Sequence, residues 1–154
     1  MHTQRRLRLK EYDYSAPGAY FVTVCVTGRR CLLGTVVDGR MVVNDIGIMV
    51  ERQWLDLPAR FPALSLDAYV VMPNHLHGIV VIELGGPSLV SAVGAFKSLS
   101  SRLFQIASDQ KHPLWQRSFH DHALRNEQAL AALREYIVNN PAKWHLDREN
   151  PAYR

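Results

Sequence analysis

The stretch Tyr69-Val-Val-Met-Pro-Asn-His-Leu-His-Gly-Ile-Val-Val-Ile82 constrains this chain more than any other. Residues 78–82 are apolar without alternation and rich in β-branched side chains, the pattern of a central strand covered on both faces. Strand side chains alternate, so His75 and His77 project from one face while Leu76 points into the other. Two imidazoles so placed can share a metal ion. Equally, one can be a packed core residue while the other faces water, and the spacing alone leaves both readings open.

The rest of the composition narrows the class. A chain of 154 residues is expected to fold as a single domain, residues 1–154, with enough core to need no staple. With 47% hydrophobic and 21% charged residues and no apolar run of bilayer length, a soluble protein without a membrane partner is expected. The basic start, Arg5-Arg-Leu-Arg-Leu-Lys10, is not followed by an apolar segment, so it does not read as a signal peptide and the cytoplasm is the expected location. Cys25 and Cys31 lack Cys-x-x-Cys spacing and read as buried free thiols. The net charge of +4 permits a polyanionic partner. Basic residues recur at Arg5, Arg6, Arg8, Lys10, Arg29, Arg30, Lys97, Arg102, Arg117 and Arg125, interleaved with Trp115 and Phe119. That mixture favours nucleic acid, since phosphates take Arg and Lys while unpaired bases take aromatic faces.

Local signals order the elements. Residues 18–27 read as a strand, and Asp38-Gly39 between two short β-rich runs reads as a hairpin turn, with the hairpin an appendage. Asn44 is placed to cap a helix whose apolar residues Ile46, Met49, Val50, Trp54 and Leu57 recur at helical spacing until Pro58. Residues 64–72 alternate partly, and Met72-Pro73-Asn74 turns the chain into the histidine strand. A second helix is expected over residues 88–107 and a further strand over residues 114–120. A third helix is capped by Asn126 and runs to Pro141. Leaving the hairpin aside, the order is that of a split βαβ, ferredoxin-like α+β fold: an antiparallel sheet with helices packed on it and one helix added at the end.

That last helix carries Leu130, Leu133 and Ile137 on one stripe, with Tyr136 and Asn140 four apart on its flank. By itself the helix equally suits a wet boundary tyrosine and an ordinary asparagine before a proline. Three motifs in order, Met72-Pro-Asn-His-Leu-His-Gly78, Leu114-Trp-Gln-Arg-Ser-Phe-His-Asp-His122 and Tyr136-Ile-Val-Asn-Asn-Pro141, resemble the REP-associated tyrosine transposases, a group of His-hydrophobe-His single-tyrosine nucleases. The likeness extends over nearly the whole chain, including Tyr20-Phe-Val-Thr23 and the hairpin.

The resemblance implies that His75, His77 and Asn140 hold a divalent ion, magnesium or manganese, beside the nucleophile Tyr136. It implies cleavage and transfer of single-stranded DNA through a tyrosine joined to a 5′-phosphate, on palindromic hairpins with a single-stranded flank. Arg5, Arg6, Lys97, Arg117 and Arg125 are the candidate DNA contacts, with Trp115 either packed in the core or stacked on a base. His120 and His122 repeat the one-residue spacing without an evident partner. Two other functional classes stay open. One is a catalytically idle hairpin-binding module. The other is a zinc hydrolase, favoured by imidazole ligands but lacking an acidic general base near the histidines, since Glu83 lies six residues past His77. Monomer and homodimer are both compatible with the sequence.

Overall fold

A computed structural model describes residues 17–153, so Arg5 and Arg6 lie outside the described residues. The chain begins with β1 (Gly18–Cys25) and a 3-10 turn (Thr27–Arg29), then the hairpin β2 (Gly34–Val37) and β3 (Arg40–Val43). Next come α1 (Asp45–Leu55), a single turn α2 (Leu57–Arg60), β4 (Leu64–Met72) and β5 (His75–Ile82). After α3 (Leu89–Ser108), β6 (His120–Leu124) and α4 (Glu127–Asn139), a second 3-10 segment (Pro141–Leu146) follows. The main sheet is antiparallel with strand order β4-β5-β1-β6, the ferredoxin-like arrangement expected from the order of elements. Among the described residues, no helix is long and apolar enough to cross a membrane.

Each helix starts where a short polar side chain can satisfy an otherwise free N–H. The Gly47 N–H donates to Asn44 Oδ1 at 2.9 Å, Ser91 N–H to Ser88 Oγ at 3.1 Å and Ala129 N–H to Asn126 Oδ1 at 2.8 Å. The hairpin turn places Asp38 at φ 51° and Gly39 at φ 74°, as a two-residue turn matched to strand twist requires.

Alternation along the strands divides the core into two unequal parts. Tyr20, Val22, Val24, Leu76 and Val80 face α1 and α3, where Trp54, Phe96 and Phe104 fill the larger core. Phe21 and Ile79 face the other way, against Leu133 and Ile137 of α4. Both faces of β5 are thus covered. Gly78 is dictated by this packing, because a Cβ there would lie 2.4 Å from Cζ2 of the fully buried Trp54. On β4 the register shifts between Leu66 and Tyr69, and this bulge turns Asp67 toward α4. Arg134 then donates to Asp67 from Nε at 2.8 Å and Nη2 at 2.6 Å, a bidentate clamp between α4 and β4.

Three expectations are corrected. The strand expected over residues 114–120 starts instead at His120, and residue 115 makes a bridge to Val26 outside the strands. The reason lies in α3. Lys97 Nζ donates to the carbonyls of Gln116 and Arg117 at 2.8 and 2.9 Å, and Trp115 Nε1 donates to Ser100 Oγ at 2.8 Å. Lys97 therefore meets the carbonyls of residues 116 and 117 that a longer sheet ladder would have met, and backbone pairing with the end of β1 is confined to Leu114 and Gln116. The hairpin is not an appendage, because Leu33, Met41 and Val43 at its base join the larger core and Gly39 at its tip lies against Ala142. Cys25 is buried as expected, but Cys31 is exposed.

Candidate active site

The site forms at one end of the sheet, where β1 ends and β5 begins. Pairing of Thr23 with His77 and Cys25 with His75 holds these residues in register, and the turn between β4 and β5 is tied down by Val26 N–H donating to the Asn74 carbonyl at 2.8 Å. His75 and His77 both point to the α4 face, with ring centroids 4.6 Å apart. The amide of Asn74 is oriented by Nδ2, which donates to the carbonyls of Glu149 at 2.7 Å and Arg29 at 3.1 Å. Its oxygen must then face His75, whose Nδ1–H donates to it at 2.9 Å. That leaves the His75 Nε2 lone pair for another partner. His77 is fixed in the same manner, its Nδ1 hydrogen bonded to Thr23 Oγ1 at 2.8 Å.

Burial is the main influence on both rings. It pushes His75 down to about 4, against the opposing effects of Asp147 and Asn140 beside it. His77 is held well below its ordinary value by burial first and then by His75 and His120. Both imidazoles are neutral at neutral pH, the form in which histidine ligates metal.

The flank of α4 closes over these rings. Tyr136 lies with its ring centroid 5.4 Å from that of His77 and 6.1 Å, edge-on, from that of Phe21, yet the residue is 47% exposed. One turn on, Asn140 is buried and its Nδ2 donates to the Tyr136 carbonyl at 3.4 Å. Among the described residues, three buried side-chain polar atoms have no hydrogen-bond partner: Trp54 Nε1, His75 Nε2 and Asn140 Oδ1. Two of the three belong to this one site. Such orphaned atoms require a reason, and two lone-pair donors beside a second imidazole fit a divalent cation.

His77, Tyr136 and Asn140 line a cleft of about 610 Å³ together with Thr23, His120 and Asp147. His120 arrives there because β6 pairs Thr23 with His120, so His77, Thr23 and His120 stand in a row across three strands. His122 projects from the same face, opposite Phe21, but does not line the cleft. Glu135, Asp147 and Glu149 also line it, so carboxylates do stand near the histidines, contrary to the expectation from sequence. Neither Asp147 nor the placement of His120 has a signal in the sequence: one sits in a polar stretch without periodicity, and the other depends on cross-strand register.

Of the expected DNA contacts, Lys97 and Arg117 border a second depression of about 500 Å³, which Thr27 also lines just beyond the end of β1. The Lys97 ammonium holds the carbonyls of Gln116 and Arg117, as described above. Arg125 is exposed immediately before the Asn126 cap. Trp115 and Phe119 are both buried in the larger core, which removes them as stacking surfaces for bases.

No protein-family profile matches the chain. It is 33% identical over 168 aligned residues to an uncharacterised protein of Haemophilus influenzae, covering 96% of this chain and 93% of that one. It is 32% identical over 130 residues to the REP-associated tyrosine transposase of Escherichia coli, covering 84% and 70% of the two chains. A solved structure of a REP-associated tyrosine transposase bound to a REP hairpin matches with a TM-score of 0.68 at 25% identity, over 89% of this chain and 74% of that one. By its sequence, its sheet topology and the helix laid across the histidine face, the chain belongs to the REP-associated tyrosine transposase family.

Proposed function

We propose that this protein cuts and rejoins single-stranded DNA at palindromic hairpins, with Tyr136 as nucleophile and His75, His77 and Asn140 as the residues that hold a magnesium or manganese ion. One observation carries the reading: a half-exposed phenol stands against His77, one of two adjacent buried and neutral imidazoles, at a site where His75 Nε2 and Asn140 Oδ1 have no hydrogen-bond partner. When bound, the ion supplies Lewis-acid polarisation of a non-bridging phosphate oxygen. The remaining work falls to the chain. Phe21 and His77, stacked on each other beneath α4, lie against the phenol ring and position its oxygen for the scissile phosphate. Tyr136 Oη forms a bond to phosphorus as the bond to the 3′ oxygen breaks. The phenol gives up its proton and the departing 3′ oxygen gains one. The resulting ester keeps the linkage activated, and a second 3′-hydroxyl can attack it, regenerate the phenol and seal the strand.

The family relative solved with a REP hairpin supports hairpin DNA as the ligand class. A single-stranded flank is the form of DNA that bends most readily toward a tyrosine on a helix flank, because a duplex resists bending and splaying. The test uses a hairpin with a single-stranded flank, labelled at its 3′ end and incubated with protein and manganese. A heat-stable protein–DNA adduct is expected on a denaturing gel. Tyr136→Phe is expected to form none while still retarding the hairpin in a native gel. An adduct of undiminished yield in Tyr136→Phe assigns the chemistry to another residue. Equal cleavage of a perfect duplex overturns the single-strand reading.

A further inference from the structure

Tyr136 and Asn140 belong to a row that continues past the end of α4. Asn140 keeps helical dihedrals, φ −58° and ψ −47°, so α4 runs without a break into the second 3-10 segment, and the Lys143 N–H donates to the Asn140 carbonyl at 3.1 Å. At about 100° per α-helical residue and about 120° per 3-10 residue, Tyr136, Asn140 and Lys143 fall within roughly 40° of one another on one flank. All three line the cleft. Side chains on a helix lean toward its N-terminus, so Lys143 is directed back over Asn140 toward the phenol. Its backbone is held from outside as well, because the hairpin tip at Gly39 lies against Ala142.

Charge singles out this lysine. Three carboxylates, Glu135, Asp147 and Glu149, line the cleft, and among the described residues its permanent cations are Lys143 and Arg148. A phosphate diester that enters past carboxylates is repelled unless a cation meets it. Arg29, Arg60 and Arg134 pair with carboxylates and Lys97 holds two carbonyls, whereas the exposed Lys143 ammonium has neither an ion-pair nor a hydrogen-bond partner among the described residues. Arg148 is set between Asp147 and Glu149 in the chain, while Lys143 stands in the row of the tyrosine. We propose that Lys143 is a further catalytic residue, whose ammonium donates to a non-bridging oxygen of the scissile phosphate. The inference rests on the reading of Tyr136 as the nucleophile. As Tyr136 Oη bonds to phosphorus and the bond to the 3′ oxygen breaks, negative charge gathers on the non-bridging oxygens, and a cation already in place stabilises that arrangement more than the starting one. The ammonium keeps its proton throughout, so the balance of atoms in the transfer is unchanged.

The experiment follows adduct formation on the labelled hairpin with its single-stranded flank, using the whole protein at saturating concentration with manganese, and measures hairpin affinity by native gel in the Tyr136→Phe background. Lys143→Ala is expected to slow adduct formation about 10- to 100-fold, the range of one charge-assisted hydrogen bond. Hairpin affinity, spread over many phosphates, should change far less. Lys143→Arg keeps the charge and should recover most of the rate, and Lys143→Gln should recover none. Because Lys143 is exposed, each variant should melt at the wild-type temperature. A Lys143→Ala rate equal to that of the wild type overturns the proposal. So does a loss confined to affinity with the saturating rate intact, which makes Lys143 a contact to a phosphate away from the chemistry. A slow rate that Lys143→Arg leaves unrecovered assigns the residue to the packing of its segment and also overturns it. In all three cases the wild-type adduct and its loss in Tyr136→Phe still stand, whereas a wild type that forms no adduct overturns the nucleophile and this inference together.

Discussion

Gly78→Ala tests how tightly the histidine strand is set against the body of the protein. The added Cβ would sit 2.4 Å from Trp54 Cζ2 and 2.9 Å from Cε2, where ordinary contact begins near 3.4 Å. Either the indole or the strand must move by about 1 Å, and neither is free: Trp54 is fully buried and packs edge-on against Phe96, while Gly78 is paired on both sides, to Val22 and Tyr69. Overpacking of this kind costs about 1–3 kcal/mol. At about 2–4 °C per kcal/mol for a domain of this size, the melting temperature should fall by roughly 2–12 °C. Because Gly78 follows His77 directly, a displaced strand also moves the imidazoles, and manganese affinity should fall with stability. The assay is urea denaturation of Gly78→Ala, Trp54→Leu and the double variant, which together form a thermodynamic cycle. Removing the indole opens the space that the methyl group needs, so the alanine should cost at least about 1 kcal/mol less in the Trp54→Leu background. An alanine that costs the same in both backgrounds, or under about 0.5 kcal/mol in the wild type, refutes the steric account.

Two further outcomes follow from the site. His75 titrates near 4 when folded and near 6.5 when free, so the unfolded chain takes up its proton first and metal-free stability should be full above pH 6.5 and decline as pH falls toward 4. That difference corresponds to roughly 3 kcal/mol at most, with His77 acting in the same direction; the fall in urea midpoint in chelator from pH 7.5 through 5.5 to 4.5 should become shallower in His75→Gln, the remainder being due to His77, and an unchanged slope places the titration elsewhere. Arg134→Gln breaks the bidentate clamp between α4 and β4 and should slow adduct formation by Tyr136, with recovery in the exchanged pair Asp67→Arg/Arg134→Asp; an unaltered rate in the single variant means that Leu133 and Ile137 alone hold the helix.

Whatever depends on neighbours along the chain is legible in the sequence. The caps at Asn44 and Asn126, the Asp38-Gly39 turn and the doubly covered strand after Gly78 are local signals, and each element begins or turns where those residues stand. Alternation suffices to place His75 and His77 on one face, and a helical repeat suffices to place Tyr136 and Asn140 together. Residues 114–119 mislead because buried strands and core-anchored loops share the same apolar composition, and the difference lies in Lys97 and Ser100, far away on α3. Asp147 is illegible for a related reason. Its approach to His75 depends on a turn held by Glu149 and on an amide, Asn74, more than seventy residues earlier in the chain.

The strand order has a consequence for synthesis on the ribosome. β1 is central in the sheet, yet its partners β5 and β6 begin at residues 75 and 120, long after it has been made. At about 5–20 residues per second, β1 waits several seconds for its first neighbour and several more for its second. A nascent chain therefore carries an apolar strand with both edges open until its first partner emerges, and with one edge open until synthesis has passed His120. Tyr136 and Asn140 come later still, so the histidine pair exists for a time without the phenol that lies against it, and no nascent chain holds the complete cleft before the sheet beneath it can close.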